Sequence, residues 1–114
     1  NVYKGASHDP TVVTPAEALA AATVNGMRSQ GRMDSGFVRQ GMKADLIVLD
    51  VNQPWMVPVN DWTTNLVYSA QGSDVCLTMV DGRVLYRDGE YPTIDIEKVM
   101  YETQRATDDI RAQL

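Results

Sequence analysis

The chain has 114 residues, 44% of them hydrophobic and 22% charged, with 10 Lys and Arg against 15 Asp and Glu for a net charge of −5. That describes one ordinary globular domain at most, and it excludes an acidic disordered tail and a spanning helix, which needs roughly 20 consecutive apolar residues. Ten scattered cations among fifteen carboxylates also argue against a nucleic-acid surface, which needs clustered Lys and Arg.

The single cysteine, Cys76, rules out an internal disulfide and fits a reducing cytoplasm. Beginning at Asn1 with no basic-then-apolar leader, the sequence is expected to be a processed chain or a piece of a longer one.

The first strong local signal is Val13-Thr14-Pro15-Ala16-Glu17. It places a hydroxyl N-cap at Thr14, proline at the first helical position and a capping-box glutamate at Glu17. The predicted helix carries a small-residue stripe of Ala18, Leu19, Ala22 and Gly26 and fades over residues 29–31, where Gly31 takes the left-handed conformation. Residues 31–41 read as a loop with one short strand at residues 35–38. Residues 44–50, Ala-Asp-Leu-Ile-Val-Leu-Asp, read as a buried strand. Residues 51–64, with Pro54, Pro58, Trp55 and Trp62, read as an irregular loop whose indoles cover apolar surface.

Asp81-Gly82 lies between two β-prone runs, residues 74–80 and 83–87. Such a pair predicts a tight hairpin, because a type I′ turn needs positive φ at both central positions. Val75, Leu77 and Met79 then share one face, and Cys76, Thr78 and Val80 the other. After a second turn at Asp88-Gly89, a final helix begins near Asp95, with Ile96, Val99, Thr103, Ala106, Ile110 and Leu114 as its apolar stripe.

The side chains that carry chemistry are sparse. His8 is the only histidine, in a polar loop with Asp9 as its one neighbouring candidate ligand, and it reads as a solvent-exposed residue. Cys76 lies mid-strand with no histidine nearby and reads as a small hydrophobe. Asp108 and Asp109 diverge by about 100° around their helix and read as a solvated face. Gly5, Gly26 and Gly31 are too far apart for a phosphate-cradling loop. The residues by themselves carry no catalytic constellation.

Taken together, several segments resemble the C-terminal part of the amidohydrolase superfamily, in its branch of aminohydrolases and triazine chlorohydrolases. The resemblance is carried by Glu17-Ala18-Leu19, Ala22-Thr23-Val24-Asn25-Gly26 and the run from Gly36 through Gly41 to Ala44-Asp45-Leu46-Ile47-Val48-Leu49-Asp50. It continues in Asn65-Leu66-Val67-Tyr68-Ser69-Ala70, Gly72-Ser73-Asp74-Val75 and Met79-Val80-Asp81-Gly82-Arg83-Val84-Leu85. These segments look most like deaminases of S-adenosylhomocysteine and 5′-methylthioadenosine. Ser29-Gln30-Gly31 stands where such proteins commonly have Ala-Leu-Gly, a departure that touches no chemistry.

The resemblance implies an α+β fold for the isolated chain. Residues 1–34 would hold the last helix of a (β/α)8 TIM barrel, residues 35–92 the C-terminal strands of a composite β-sandwich, and residues 93–114 a helix folded back on the body of the protein. It also implies a zinc or iron ion in the full-length enzyme, held by a His-x-His pair, two further histidines and an aspartate, all upstream. The expected reaction is metal-assisted hydrolysis of a purine-like or triazine-like ring. No catalytic, cofactor-binding or metal-ligating residue is carried over onto this chain, which alone is expected to be inactive. The expected partners are the remainder of the parent enzyme and further copies of it, with no nucleic acid and no membrane. The alternative is a non-catalytic β-rich assembly module acting through its exposed strand edges.

Overall fold

The structure, a computed structural model, describes residues 2–113. A short helix α1 (Val2–Ser7) leads to the predicted cap. The Thr14 hydroxyl accepts from the Glu17 amide, and the Glu17 carboxylate accepts from the Thr14 amide at 2.8 Å. Two donors that a helix start leaves unpaired are thereby satisfied. Thr14→Ala is expected to cost about 1 kcal/mol, read as a lower urea midpoint with reduced helicity. An unchanged midpoint would remove the cap from the account of this helix.

The helix continues as α2 (Pro15–Ala20), a π turn (Ala21–Asn25) and α3 (Gly26–Ser29), and it stops before Gly31 at φ +73°. The π turn holds more residues than an α turn and so rotates the faces of the helix beyond it. The expected stripe is therefore broken: Ala18 and Gly26 are half-buried, Ala22 is exposed, and Val24 and Met27 turn inward instead. Within the turn the Thr23 hydroxyl donates back to the Leu19 carbonyl at 2.7 Å, a local bond that competes with the helical ladder.

The strand expected at residues 35–38 is absent. Gly36 has φ +95°, which an extended strand does not use, and Ser35 is buried beside it. The sheet has three antiparallel strands in the order β1 (Leu46–Leu49), β2 (Val75–Val80), β3 (Arg83–Arg87). The strand expected over residues 44–50 is shorter at both ends. There the backbone bonds outside the ladder, with the Ala44 carbonyl accepting from Gly82 and the Asp50 amide donating to the Asp74 carbonyl.

Both predicted turns form. Asp81 and Gly82 have φ 49° and 78°, Asp88 and Gly89 have φ 46° and 92°, and Arg87 and Glu90 exchange backbone bonds of 2.8 and 3.0 Å across the second. The clean two-face alternation of β2 is lost. Register shifts between Val48 and Leu49 and between Thr78 and Met79 mark bulges, and Val75 to Met79 are all half-buried.

Residues 51–64 contain more structure than an irregular loop. A 3-10 turn (Pro54–Met56) is followed by helix α4 (Trp62–Tyr68), whose N-cap Asp61 accepts from the Thr64 amide at 2.7 Å. Helix α2 packs against α4. Trp62 opens α4 and is half in solvent, so it does not cover the core as expected, while Trp55 donates its indole N–H to Asp74 at 3.1 Å. Asn65 is buried and donates to the Met56 carbonyl at 2.7 Å, satisfying a backbone group that the 3-10 turn leaves open.

The last helix, α5 (Ile96–Arg111), begins where expected, and the structure adds a cap there, with the Asp95 side chain accepting from the Lys98 amide at 3.0 Å. It does not pack on the described body: no α5 residue is buried. Leu114, assigned to its stripe, lies outside the described residues.

Met56 is the only fully buried apolar side chain among the described residues. The radius of gyration is 18.6 Å, against about 13 Å for a compact domain of this length. Secondary structure is in place without a closed core.

Candidate functional site

Two features stand where the helical segment meets the sheet. One is an open, mainly apolar groove of about 420 Å³, lined by Thr23 and Met27 on the helix, Phe37 and Val38 on the crossing loop, and Ile47 and Met79 on the sheet. Its floor depends on the close crossing at Gly36, where a Cβ would stand 2.8 Å from the Val24 Cα. Phe37, Val38 and Ile47 are more than half exposed. Apolar surface gathered this way marks a place where another surface docks.

The other feature is a polar knot centred on Asp45, also on the groove's border. The Asp45 carboxylate accepts from Arg32 at 2.6 Å, from the buried Ser35 hydroxyl at 3.0 Å and from the Asp81 backbone N–H at 2.7 Å. These donors come from the end of the helical segment, the crossing loop and the β2–β3 turn. Lys43 reaches Asp81 at 3.5 Å and Asp34 at 4.0 Å around the rim. The Asp81 N–H, followed by Ser35 and Arg32, holds the Asp45 carboxyl below the usual carboxylate range against a partial opposing effect of desolvation. Such a knot joins elements, and it offers no nucleophile or proton donor aimed at open space.

The other depressed carboxylates belong to local caps and turns. Asp9 is lowered chiefly by the Thr11 hydroxyl, Asp61 by the Thr64 hydroxyl, and Glu17 by the Thr14 backbone N–H. For each, including Asp45, the folded value lies below the ordinary one of 3.8 for Asp or 4.5 for Glu. Their stabilisation is complete above those ordinary values and is lost as pH falls through the lower folded ones. The melting midpoint is therefore expected to fall on the acid side of those ordinary values. A midpoint that holds down to the pH at which all four are protonated would contradict these bonds.

The residues weighed for chemistry stay apart. His8 is exposed at φ 53° just after α1. Cys76 is half-buried and donates weakly from Sγ to the Val48 carbonyl at 3.4 Å. Asp108 accepts from Gln104 at 2.9 Å, while Asp109 sits 4.0 Å from Arg105, both exposed. Among the described residues, no three His, Cys, Asp or Glu side chains come together as a metal site. A catalytic metal needs at least three protein ligands, and the described residues gather no such group. Sequence reasoning misses the Asp45 knot. In sequence the Asp45-Leu46 step reads only as the edge of a strand, and no periodic signal places Arg32 and Asp81 on one carboxylate.

No helix among the described residues is long and apolar enough to cross a membrane. The sequence model of the Amidohydrolase family matches residues 2–85. A 5-methylthioadenosine/S-adenosylhomocysteine deaminase from Dictyoglomus thermophilum is 45% identical over 104 residues, 91% of this chain and 24% of the relative. A 5′-deoxyadenosine deaminase from Methanosarcina mazei is 38% identical over 113 residues, 99% of this chain and 26% of the relative. The chain thus spans about a quarter of the length of the curated relatives it matches.

In structure it is similar to an adenosine deaminase from Xanthomonas campestris with bound zinc, at TM-score 0.89 and 26% identity, covering 96% of this chain and 25% of that one. It is also similar to the zinc complex of atrazine chlorohydrolase TrzN from Arthrobacter aurescens, at TM-score 0.73 and 25% identity, covering 81% and 20%. With the family's sequence pattern running through the helical segment, the Asp45 knot and the hairpin, the chain belongs to the amidohydrolase family.

Proposed function

We propose that this chain is the C-terminal portion of a metal-dependent aminohydrolase that deaminates an adenosine-like ring, and that its own part in that enzyme is structural. In this reading residues 1–34 contribute the last helix of a TIM barrel, residues 35–92 the final strands of a composite β-sandwich, and residues 93–114 a closing helix. The observation that carries it is the unclosed core: one fully buried apolar side chain among the described residues and a radius of gyration of 18.6 Å. A self-sufficient domain of this length buries much more. The relatives' names support the adenosine-like substrate, and the zinc in two structural neighbours supports a divalent metal, zinc or iron, held by residues outside this chain. The free thiol at Cys76 supports a reducing, cytoplasmic setting.

The test compares the 114-residue chain with the longest polypeptide that contains it. The longer protein is expected to hold one zinc or iron per chain and to deaminate 5′-deoxyadenosine, and the 114-residue chain to do neither. One tightly bound metal per 114-residue chain would overturn this division of labour.

A second reading, an assembly module, draws on the sheet itself, whose outer strands β1 and β3 each leave one edge without a strand partner among the described residues. Homo-oligomers of the parent enzyme would use such edges. Sedimentation of the 114-residue chain checks it: a concentration-dependent oligomer is expected, and a stable monomer would dismiss it.

A further inference from the structure

Helix α5 carries a surface that the rest of the described chain leaves open. Ile96, Val99, Thr103, Ala106 and Ile110 recur at alternating spacings of three and four, the repeat by which one helix presents a seam to another. Ile96 is 39% exposed, Val99 45% and Ile110 63%. The seam has a waist, because its ends are Ile and Val while its centre is Thr103 and Ala106. A well-packed partner brings a bulky apolar side chain to that waist.

One flank of the seam is acidic: Glu102 and Asp109 stand seven residues apart on the helix, and the N-cap Asp95, one of whose carboxylate oxygens bonds the Lys98 amide, precedes them by seven. Lys98 and Arg105 approach Glu102 and Asp109 from the side away from the seam, at 3.9 and 4.0 Å and in solvent, so they offset that charge weakly. Charge selects among occupants. In an antiparallel pair of two copies these flanks meet carboxylate against carboxylate, and in a parallel pair they meet Met100 and Thr107. Neither arrangement is complementary, whereas a row of Lys or Arg is.

We infer that α5 docks along a helix with a bulky apolar residue at the centre of its seam and Lys or Arg on the flank facing Asp95, Glu102 and Asp109. Its source is the upstream part of a longer polypeptide. This rests on the chain being the terminal portion of a larger hydrolase. The match to a solved deaminase covers 96% of this chain and only 25% of that protein, so most of α5 keeps its place in a structure with ample further surface.

The experiment titrates the 114-residue chain into two fluorescent designed helices. Both carry leucine seams with a central phenylalanine, and they differ only in flanking Lys or Glu. The Lys helix is expected to bind one to one and about tenfold tighter than the Glu helix at low salt, with the margin shrinking as salt rises. Glu102→Gln/Asp109→Asn is expected to remove most of that margin, and Ala106→Glu to abolish binding of both peptides while helicity by circular dichroism is retained. Equal binding of the two peptides, no binding of either, or a chain dimer lost on Ala106→Glu would each overturn the inference. Metal content and deamination by the longer polypeptide are measured separately, so failure of the parent-enzyme reading is distinguishable from failure of this one.

Discussion

Replacing Gly36 by alanine is expected to destabilise the chain by about 2–4 kcal/mol, from a disfavoured backbone region and an overpacked contact together. Gly36 sits at φ +95°, and an added Cβ would meet the Val24 Cα at 2.8 Å, the Val24 N at 3.2 Å and the Thr23 carbonyl oxygen at 3.3 Å. All three are backbone atoms inside the π turn, so no side chain can swing aside. Relief requires the crossing loop to lift off the helix, which opens the groove that Met27 and Phe37 line. Gly41 is the matched control. It has φ +86° and nothing within 4 Å of a Cβ, so Gly41→Ala is expected to cost only the backbone part, about 1 kcal/mol. Urea unfolding monitored by circular dichroism measures both. Equal costs at the two positions would show that the close approach to Val24 carries no energy.

Asp45→Ala is expected to give the next largest loss and to spread it across three elements. The substitution takes the better acceptor from the buried Ser35 hydroxyl, leaving it the long 3.5 Å contact to Asp34 and the Arg32 donor at 3.1 Å, and weakening that buried bond costs about 1 kcal/mol. It also leaves the Arg32 guanidinium and the Asp81 amide without their carboxylate partner. Asp45→Asn, which keeps the shape and one acceptor oxygen, should recover part of the loss. Lys98→Ala, which removes only an exposed pair at 3.9 Å, should cost no more than about 0.5 kcal/mol. Hydrogen exchange gives the decisive reading. In Asp45→Ala, protection is expected to fall together at the amides of Lys43, Asp81 and Gly82, which now bond to Asp34, Asp45 and Ala44. Loss confined to the β2–β3 turn would mean that Asp45 is only a turn cap and does not join the helical segment to the sheet.

Family membership is legible in the sequence because it rests on local order: the Thr14–Glu17 cap, the Ala44-Asp45-Leu46 step and the Asp81-Gly82 turn are each read within a few residues. The same holds for the start of α5 at Asp95 and for both positive-φ turns, since caps and tight turns are decided by neighbours in sequence. Helix α4 is not legible in this way, although Asp61 is a good cap. Trp62-Thr63-Thr64-Asn65 has weak helix propensity, and the helix is held instead by packing on α2 and by Asn65 bonding back to the 3-10 turn.

What the sequence determined by itself is the set of elements whose cause lies within one or two turns of chain, together with the scarcity of catalytic side chains. Tertiary structure alone decided the π turn under Gly36, the bulges that blur the faces of β2, the meeting of Arg32, Ser35 and Asp81 on Asp45, and the bare seam of α5. The physical reason is range. Caps and turns are satisfied by nearby backbone groups, whereas a close crossing, a shared carboxylate and an unfilled apolar face depend on which distant segments arrive, and no local pattern encodes that.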